Sequence, residues 1–349
     1  MKADVAILGG GPAGATAALC LARAGLKVAL VEASRYDAPR IGESLPPAVA
    51  APLRALGLWD GFQALQPLPA YGVRSAWGGA EPTERSLLFD PHGPGWHVDR
   101  CAFDRFLAEA AEAGGATVLR GRRFRAAAPG WRLELTSGEA IDAGFVIDAT
   151  GRAALFARRL GGTRRPYDNR VAVVARLPAD LREAGFILLE SIAAGWWYTA
   201  PAPALHLVAA FITDADLIGN PAAAWATALA EAPETHGRIG ALPRDPAPTV
   251  VLADTAELDR AWGPGWIAIG DAAASFDPLS GDGVLRAMQD GIGAARAILG
   301  GEAALRAYLE GRKASHQTHR LRQRAFSLRE QRWPDSVFWK RSQAETLPA

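Results

Sequence analysis

A glycine-rich turn near the N-terminus is the feature that most restricts how this chain can fold. An apolar run ends in Gly9-x-Gly11-x-x-Gly14, a small-residue helical segment follows, and a second apolar run ends on Glu32. In such a unit the first glycine allows the tight turn, the second lets the backbone approach a pyrophosphate, and the third lets helix and strand pack closely. Glu32 follows Gly14 by 18 residues, where a carboxylate can bind a ribose diol. The spacing predicts a βαβ unit that binds a dinucleotide; the alternative is an ordinary βαβ unit with a glycine-rich turn.

The composition is that of a globular protein with one large or two modest domains. The 349 residues are 49% apolar and 21% charged. A net charge of +1 argues against general nucleic-acid binding. Cys20 and Cys101 have neither a disulfide framework nor a metal-ligand spacing, so we expect no metal site. No apolar run reaches membrane-spanning length, and we expect a cytoplasmic protein without a membrane partner.

Three further segments place aspartate or glycine residues at the end of a predicted strand or at the start of a predicted helix. One begins a helix with an aspartate cap, one ends an apolar strand, and one joins a buried strand to a helix predicted over 284–299. A glycine-rich helix N-terminus can present backbone N–H groups to a partial negative charge. In chain order the motifs are Asp99-Arg100, Asp148-Ala149-Thr150-Gly151, and Gly270-Asp271 with Asp277-Pro278-x-x-Gly281-x-Gly283.

The middle of the chain contains apolar segments spaced like the strands of one antiparallel sheet. Between two of them lies the run Trp196-Trp197-Tyr198. Because successive residues of a strand point to opposite faces, at least one of these rings should face away from its neighbours. The run predicts either packing within the sheet or the wall of a flat aromatic pocket.

The C-terminal segment 312–332 is helical in pattern and strongly basic, with Glu330 as its one acidic residue. A solvated helix face accounts for such a segment. The alternative is a surface that docks an acidic partner, such as a protein or peptide substrate.

Taken together, these motifs resemble the FAD-dependent monooxygenases built on the p-hydroxybenzoate hydroxylase fold, from the N-terminus to about residue 300. The resemblance implies an α/β fold with a Rossmann-like FAD-binding domain, an interleaved antiparallel-sheet substrate domain and a C-terminal helical tail. The implied FAD-binding domain is discontinuous, over 1–70, 95–165 and 255–300. The substrate domain takes 71–94 and 166–254, and the tail takes 301–349.

The same resemblance implies where FAD would bind. The adenosine end would lie at the glycine turn and Glu32, the ribityl chain near Asp271, and the isoalloxazine at the helix that starts near Gly281–Gly283. O2 would be the oxidant, and NAD(P)H would visit transiently, or a partner would supply reduced flavin. The implied FAD-binding residues are Gly9, Gly11, Pro12, Ala13, Gly14, Glu32, Arg40, Ser44, Arg100, Phe124, Asp271, Pro278, Gly281 and Gly283.

Within that family, Gly42-Glu43-Ser44-x-x-Pro47 and the Gly270–Gly281 motif look like the branch of flavin-dependent halogenases and of flavoproteins that mature quinone cofactors. The halogenases carry a catalytic lysine after the Gly-Glu-Ser motif. This chain has lysine only at positions 2, 27, 313 and 340, which disfavours halogenation. The run 196–201 and the tail 330–339 look more like the maturation flavoproteins, which oxygenate a tryptophan side chain in a partner protein.

A flavin monooxygenase needs little acid–base machinery from the protein, because the cofactor carries out the difficult chemistry. The candidate residues on the substrate side are Trp197 and Tyr198 as pocket walls and His97 and Glu43 as polar groups near the ring. For His97 a structural role, and for Glu43 ionic packing, are the alternatives. Other functions left open are a halogenase, a flavin reductase or dehydrogenase, and a non-catalytic FAD-containing maturation subunit.

Overall fold

The structure, a computed structural model, describes residues 1–178, 185–204, 206–240 and 247–344. The parts of the predicted substrate domain at 179–184, 205 and 241–246, and the end of the predicted tail at 345–349, lie outside the described residues. The strands are β1 (Lys2–Leu8), β2 (Val28–Glu32), β3 (Ser44–Leu45), β4 (Leu68–Ala70), β5 (Gly72–Ala76), β6 (Thr83–Ser86), β7 (Gly95–His97), β8 (Thr117–Arg120), β9 (Phe124–Ala128), β10 (Arg132–Leu135), β11 (Ala140–Asp148), β12 (Arg164–Pro166), β13 (Arg170–Pro178), β14 (Phe186–Ile192), β15 (Gly195–Ala202), β16 (His206–Asp214), β17 (Thr249–Leu252), β18 (Ala256–Leu258), β19 (Trp262–Gly263), β20 (Trp266–Ala268) and β21 (Ala274–Ser275).

The helices are α1 (Pro12–Arg23), α2 (Ala50–Ala55), α3 (Trp59–Ala64), α4 (Arg100–Ala113), α5 (Leu155–Arg159), α6 (Pro221–Ala230), α7 (Pro233–Ile239), α8 (Gly283–Leu299), α9 (Gly301–Ser327) and α10 (Val337–Gln343). Helix α4 begins at the predicted cap, where the Asp99 carboxylate accepts a hydrogen bond from the Ala102 N–H. Among the residues described, no helix combines the length and the apolar character needed to cross a membrane.

The first large sheet has eight strands and contains the predicted N-terminal unit. Its main order is β19-β20-β11-β1-β2-β8, and β9 and β10 join it through β11. Strands β20, β11, β1, β2 and β8 pair in parallel, as a Rossmann-like sheet does. One face is covered by α1, α4 and α8, where Phe103 and Met288 are fully buried. The other face buries Leu133 and Phe156.

Within the described ranges, the second large sheet has seven strands in the order β17-β13-β16-β15-β14-β5-β6. All neighbours in it are antiparallel except β14 and β5. The predicted α/β class, with one Rossmann-like and one antiparallel sheet, is confirmed by this arrangement. The predicted domain ranges stay a prediction, because strand pairing alone does not divide the chain into units.

The C-terminal residues pack back onto the second sheet. The Trp339 side chain is buried, and its Nε1 donates to the Ile192 carbonyl at 2.9 Å. Glu330 is buried as well and accepts hydrogen bonds from the Gly78 N–H at 2.9 Å and the Ser191 hydroxyl at 2.7 Å. Burial of this carboxylate opposes ionisation, but the hydrogen bonds from Arg332 and Ser191 outweigh it and lower the pKa of Glu330 to about 2. The tail is therefore anchored by a charged group held inside the protein.

Candidate functional site

A cavity of about 1360 Å³ is lined by residues from both large sheets. It exceeds the roughly 300–1,000 Å³ usual for a small-molecule pocket, so it has room for a dinucleotide with space beyond it. The residues predicted to bind FAD, apart from Gly14, all line it. They are Gly9, Gly11, Pro12, Ala13, Glu32, Arg40, Ser44, Arg100, Phe124, Asp271, Pro278, Gly281 and Gly283.

The glycine turn has the geometry that the spacing predicts. Gly9 has φ +103°, a backbone conformation that side chains disfavour. A Cβ on Gly14 would lie 1.9 Å from the Gly9 carbonyl oxygen, so Gly14 serves close packing and not the cavity. A Cβ on Gly11 would meet no described atom within 4 Å, which leaves an open approach to the N-terminus of α1. That N-terminus favours an anion.

Glu32 lies at the end of β2 and ties the turn to the next loop. Its carboxylate accepts hydrogen bonds from the Gly10 N–H at 2.7 Å and from the Ser34 N–H at 2.8 Å. Burial alone would raise the pKa of Glu32, but the hydrogen bonds from Ser34 and Gly10 and the charge of Arg40 outweigh it, so the pKa is lowered. Glu32 is thus an ionised, buried carboxylate at the cavity wall.

A network of charged side chains fixes the loop that carries the Gly-Glu-Ser motif. Arg40 bridges Glu32 and Asp104, with N–O distances of 3.1 Å to each. Arg100 contacts the same Asp104 at 3.2 Å and donates to the Ile41 carbonyl at 2.8 Å. Asp104 is fully buried, and two arginines satisfy it. Both arginines line the cavity because this aspartate holds them there.

The Asp148 carboxylate shapes the loop after β11. It accepts hydrogen bonds from the backbone N–H groups of Thr150 at 3.0 Å and of Phe156 and Ala157 at 3.0 and 2.9 Å. Burial nevertheless raises the pKa of Asp148, which has no exposed surface. The loop so held brings Thr150 and Gly151 to the cavity.

The Gly270–Gly283 region is held from two sides. Asp290 of α8 accepts a hydrogen bond from the Gly270 N–H at 2.6 Å, and Tyr308 of α9 donates to the same carboxylate. Asp277 forms a buried ion pair with Arg170 of β13. The turn before α8 is therefore fixed to α9 on one side and to the second sheet on the other.

Arg286, in the first turns of α8, lines the same cavity and was not singled out from the sequence. Its guanidinium lies over the Phe276 ring at 4.2 Å, and its Nε is 3.1 Å from the Asp282 carboxylate. Its Nη1 is buried without a hydrogen-bond partner in the described part of the chain. Burial lowers the pKa of Arg286, partly against the charge of Asp282. Its place three residues after Gly283, the first residue of α8, is the signal that could have indicated it.

A hydrogen-bonded chain links the cavity to the protein interior. The Tyr198 hydroxyl donates to Glu43 Oε1 at 2.6 Å and lies 2.7 Å from Ser44 Oγ, which is 2.8 Å from His97 Nδ1. Tyr198 and Ser44 line the cavity, whereas Glu43 and His97 are buried behind them. Burial raises the pKa values of Glu43 and Tyr198 and lowers the pKa of His97 to about 3. His97 is therefore a neutral imidazole that supports Ser44, and it does not itself reach the cavity.

The structure places Trp197 away from the predicted substrate side. Its ring is fully buried on the opposite face of the second sheet, 4.7 Å from the Trp225 ring of α6. Its Nε1 donates to the Ala228 carbonyl at 3.2 Å. Residues alternate faces along β15, so Tyr198 faces the cavity and Trp197 faces the helices. Trp197 is therefore not a wall of the predicted pocket, because α6 and α7 cover the face of the sheet to which it points.

The cavity fits a bound dinucleotide on its own chemistry. It offers open backbone at Gly11 beside a helix N-terminus and a buried guanidinium nitrogen of Arg286 that lacks a partner among the described residues. Both features favour a negatively charged ligand such as a pyrophosphate or an anionic ring. An α/β fold around such a cavity defines a dinucleotide-binding protein.

The chain belongs to the family described as FAD binding domain, which matches residues 2–319, and the protein is an FAD-dependent oxidoreductase. It is 29% identical to a Marinomonas mediterranea protein named "Putative FAD-dependent oxidoreductase LodB", over 98% of this chain and 97% of that one. It is 30% identical to tryptophan 2-halogenase of Chondromyces crocatus, over 82% of this chain and 59% of that one.

Two solved structures share the fold across nearly the whole chain. The flavin-dependent halogenase CmlS superposes with a TM-score of 0.87 at 24% identity, over 99% of this chain and 68% of that one. The peptidyl tryptophan dihydroxylase QhpG, essential for tryptophylquinone cofactor biogenesis, has a TM-score of 0.80 at 24% identity, over 99% of this chain and 79% of that one. At this identity the likeness concerns the fold alone.

Proposed function

We propose that the protein is an FAD-dependent monooxygenase that places one oxygen atom of O2 on an electron-rich aromatic ring, a tryptophan side chain of a partner protein or peptide. The observation that carries the proposal is the continuity of the cavity. It runs from the residues predicted to bind FAD to an apolar face of the second sheet formed by Ala172, Val174, Ala210 and Ile212, with Tyr198 beside them. A flat apolar wall with one polar group suits an indole ring.

FAD, when bound, supplies the oxygen chemistry, and NAD(P)H or reduced flavin supplies the two electrons that convert the second oxygen atom to water. The protein's own residues bind, orient and exclude water. Gly11 and Arg286 would hold the anionic parts of the cofactor, and Glu32 would bind its ribose. The apolar wall keeps water from the reacting ring.

Tyr198 is the residue we assign to substrate positioning. Its hydroxyl is locked between Glu43 and Ser44, and the raised pKa keeps it protonated. A fixed phenol at the cavity wall can hydrogen-bond an indole N–H or a ring substituent. Glu43 and His97 act through this hydroxyl and through Ser44, so they are positioning residues.

The choice of oxygenation over halogenation rests on the side chains available. The sequence has no lysine between positions 28 and 312, where the similar halogenases carry a catalytic one. The positive charges that line the cavity are arginines, among them Arg40, Arg100 and Arg286, and their guanidinium groups suit the anchoring of anionic groups. The name of QhpG motivates the tryptophan in a peptide as substrate. The likeness to a tryptophan 2-halogenase keeps halogenation as the second candidate.

The test combines the FAD-loaded protein with a tryptophan-containing peptide, a reductant and labelled O2. We expect mass spectrometry to show labelled oxygen on the indole, whether or not chloride or bromide is present. A halogenated product that depends on halide would establish the second candidate. Consumption of reductant without a modified peptide would refute both.

A variant pair separates positioning from folding. Tyr198→Phe should lower kcat about tenfold or more, equivalent to about 1.4 kcal/mol, and should leave flavin content unchanged. Tyr71→Phe makes the same chemical change at a tyrosine that is 41% exposed, and it should behave as wild type. Equal activity of both variants would remove Tyr198 from the proposal.

A further inference from the structure

Strand β17 is an edge strand with features that natural sheets usually avoid. It ends the seven-stranded sheet and pairs only with β13, so one side of its backbone has no strand partner in the described part of the chain. Its sequence is Thr-Val-Val-Leu, without a charge. Val250 and Leu252 are 46% and 57% exposed. An exposed, uncharged, apolar edge is a template for pairing with another strand.

The opposite edge of the same sheet shows the usual protection. Strand β6 has the sequence Thr-Glu-Arg-Ser, all of it exposed. Glu84 forms an ion pair with Arg74 of the neighbouring strand at 3.3 Å. Charged side chains of this kind discourage pairing with a further strand. Among the described residues of this sheet, the edge at β17 therefore lacks the charged protection that the edge at β6 has.

The open edge is continuous with the proposed substrate side of the cavity. Thr249 and Val251, which share one face of β17, line the cavity together with Ala172 and Val174 of the adjacent β13. Val250 points to the other face, because residues alternate along a strand. A strand added beside β17 would therefore present every second side chain toward the cavity and the apolar wall.

We propose that β17 is the docking edge for the polypeptide substrate, which binds as an extended strand and places its aromatic side chain into the cavity. This inference rests on the proposed function for its substrate. The outer edge of β17, which pairs with no strand in the described part of the chain, favours an extended peptide as the occupant, since a further strand can pair with its backbone N–H and C=O groups. Main-chain hydrogen bonds provide affinity, and the cavity selects the side chain.

The experiment uses the FAD-loaded full chain and one defined probe. The probe is an acetylated nonapeptide with a central tryptophan, alternating threonine and valine on both sides, and a lysine at each end. A matched probe carries backbone N-methyl groups at alternate residues, which block strand pairing and keep the side chains. Fluorescence anisotropy measures binding, and hydrogen exchange measures protection of residues 249–252.

We expect the plain peptide to bind and to slow exchange in β17, and the methylated probe to bind at least tenfold more weakly. Val250→Asp should weaken binding several-fold because it adds a charge at the edge. Leu321→Asp, at a leucine of α9 that is 66% exposed, should not. Flavin content and thermal midpoint of both variants show that they are folded.

Several results would overturn the docking proposal. One is failure of the plain peptide to bind up to millimolar concentration, and another is equal binding of the two probes. Protection from exchange on α9 instead of β17 would also contradict the proposal. If the protein forms a dimer and β17 is protected without peptide, the docking proposal is also overturned, because a second copy of the chain then occupies the edge. A peptide that protects β17 but gains no oxygen would refute the proposed function and leave the docking edge. Oxygenation of the peptide without protection of β17 would refute the docking edge and leave the proposed function.

Discussion

The Glu32→Gln substitution tests whether the buried carboxylate holds the glycine turn. In the wild type, one carboxylate oxygen accepts from the Ser34 N–H at 2.8 Å, the Ser34 hydroxyl at 2.6 Å and Arg40 at 3.1 Å. The other oxygen accepts from the Gly10 N–H at 2.7 Å. A glutamine can place its carbonyl toward Ser34 and Arg40, but its NH2 group then faces the Gly10 N–H, donor against donor.

The cost follows from these contacts. An unsatisfied Gly10 N–H costs about 1–3 kcal/mol, and the change from charge-assisted to neutral hydrogen bonds at Ser34 adds about 1 kcal/mol. Arg40 keeps its contact with Asp104 at 3.1 Å, so its charge stays paired. We expect a loss of about 2–4 kcal/mol. For 349 residues the entropy of unfolding is about 0.7 kcal/mol/K, so the thermal midpoint should fall by about 3–5 °C.

Calorimetry of the protein freed of flavin measures this effect, and flavin retention on gel filtration should fall in parallel. The pH dependence gives a second check. The pKa of Glu32 is lowered in the folded protein from an ordinary value of 4.5, so its contribution is complete above pH 4.5 and is lost as the pH falls through the folded value. The difference between wild type and Glu32→Gln should therefore narrow below pH 4.5.

Glu112→Gln is the matched control. Glu112 pairs with Arg120 at 2.8 Å, but its side chain is 49% exposed, and such pairs contribute about 0–1 kcal/mol. Its midpoint should lie within about 1.5 °C of wild type. Equal midpoints for Glu32→Gln and wild type at pH 7 would refute the argument, as would an equal loss in the control.

Further experiments test the glycine turn, the C-terminal tail and the buried histidine. Gly14→Ala should abolish flavin binding and lower the thermal midpoint, because its Cβ would lie 1.9 Å from the Gly9 carbonyl oxygen. The Cβ of Gly11→Ala has space within the described structure, so this variant should weaken flavin binding with little change in the thermal midpoint of the flavin-free protein. Trp339→Ala removes a ring that is 2% exposed and should cost about 3–5 kcal/mol in urea unfolding; an unchanged midpoint would show that the tail is not anchored. The pKa of His97 is lowered to about 3, so its imidazole NMR signals should stay constant from about pH 5 to 8, and a titration step near 6.5 would contradict its burial.

The Gly-Glu-Ser segment contributes both to the cavity wall and to the hydrogen bonds that hold Tyr198. Ser44 lines the cavity, whereas Glu43 points inward and holds the Tyr198 hydroxyl at 2.6 Å. Two adjacent residues, one just before β3 and one at its start, thus point to different sides of the cavity wall. The buried Glu43 carboxylate also keeps the Tyr198 phenol oriented, because it accepts the hydroxyl hydrogen directly.

Spacing along the sequence was enough to predict the residues around the glycine turn that line the cavity. Gly9, Gly11 and Gly14 meet requirements of backbone conformation and close approach, which are local and therefore visible in spacing. The same holds for the turn that ends at Gly283 and for the acid at the end of β2. Residues of this kind can be placed without knowing what packs around them, because the backbone near them must adopt one shape.

Which side chains face the cavity from the second sheet depends on packing between distant segments. Alternation along β15 shows that Trp197 and Tyr198 face opposite ways, but only the packing of α6 on one face decides that Tyr198 lines the cavity. Arg286 became visible through its buried nitrogen, and β17 through its position at the edge of a sheet. Which face is covered, and which edge is left open, depends on contacts between segments far apart in the chain. A local pattern does not contain that information, because the free energy of burial comes from the assembled layers.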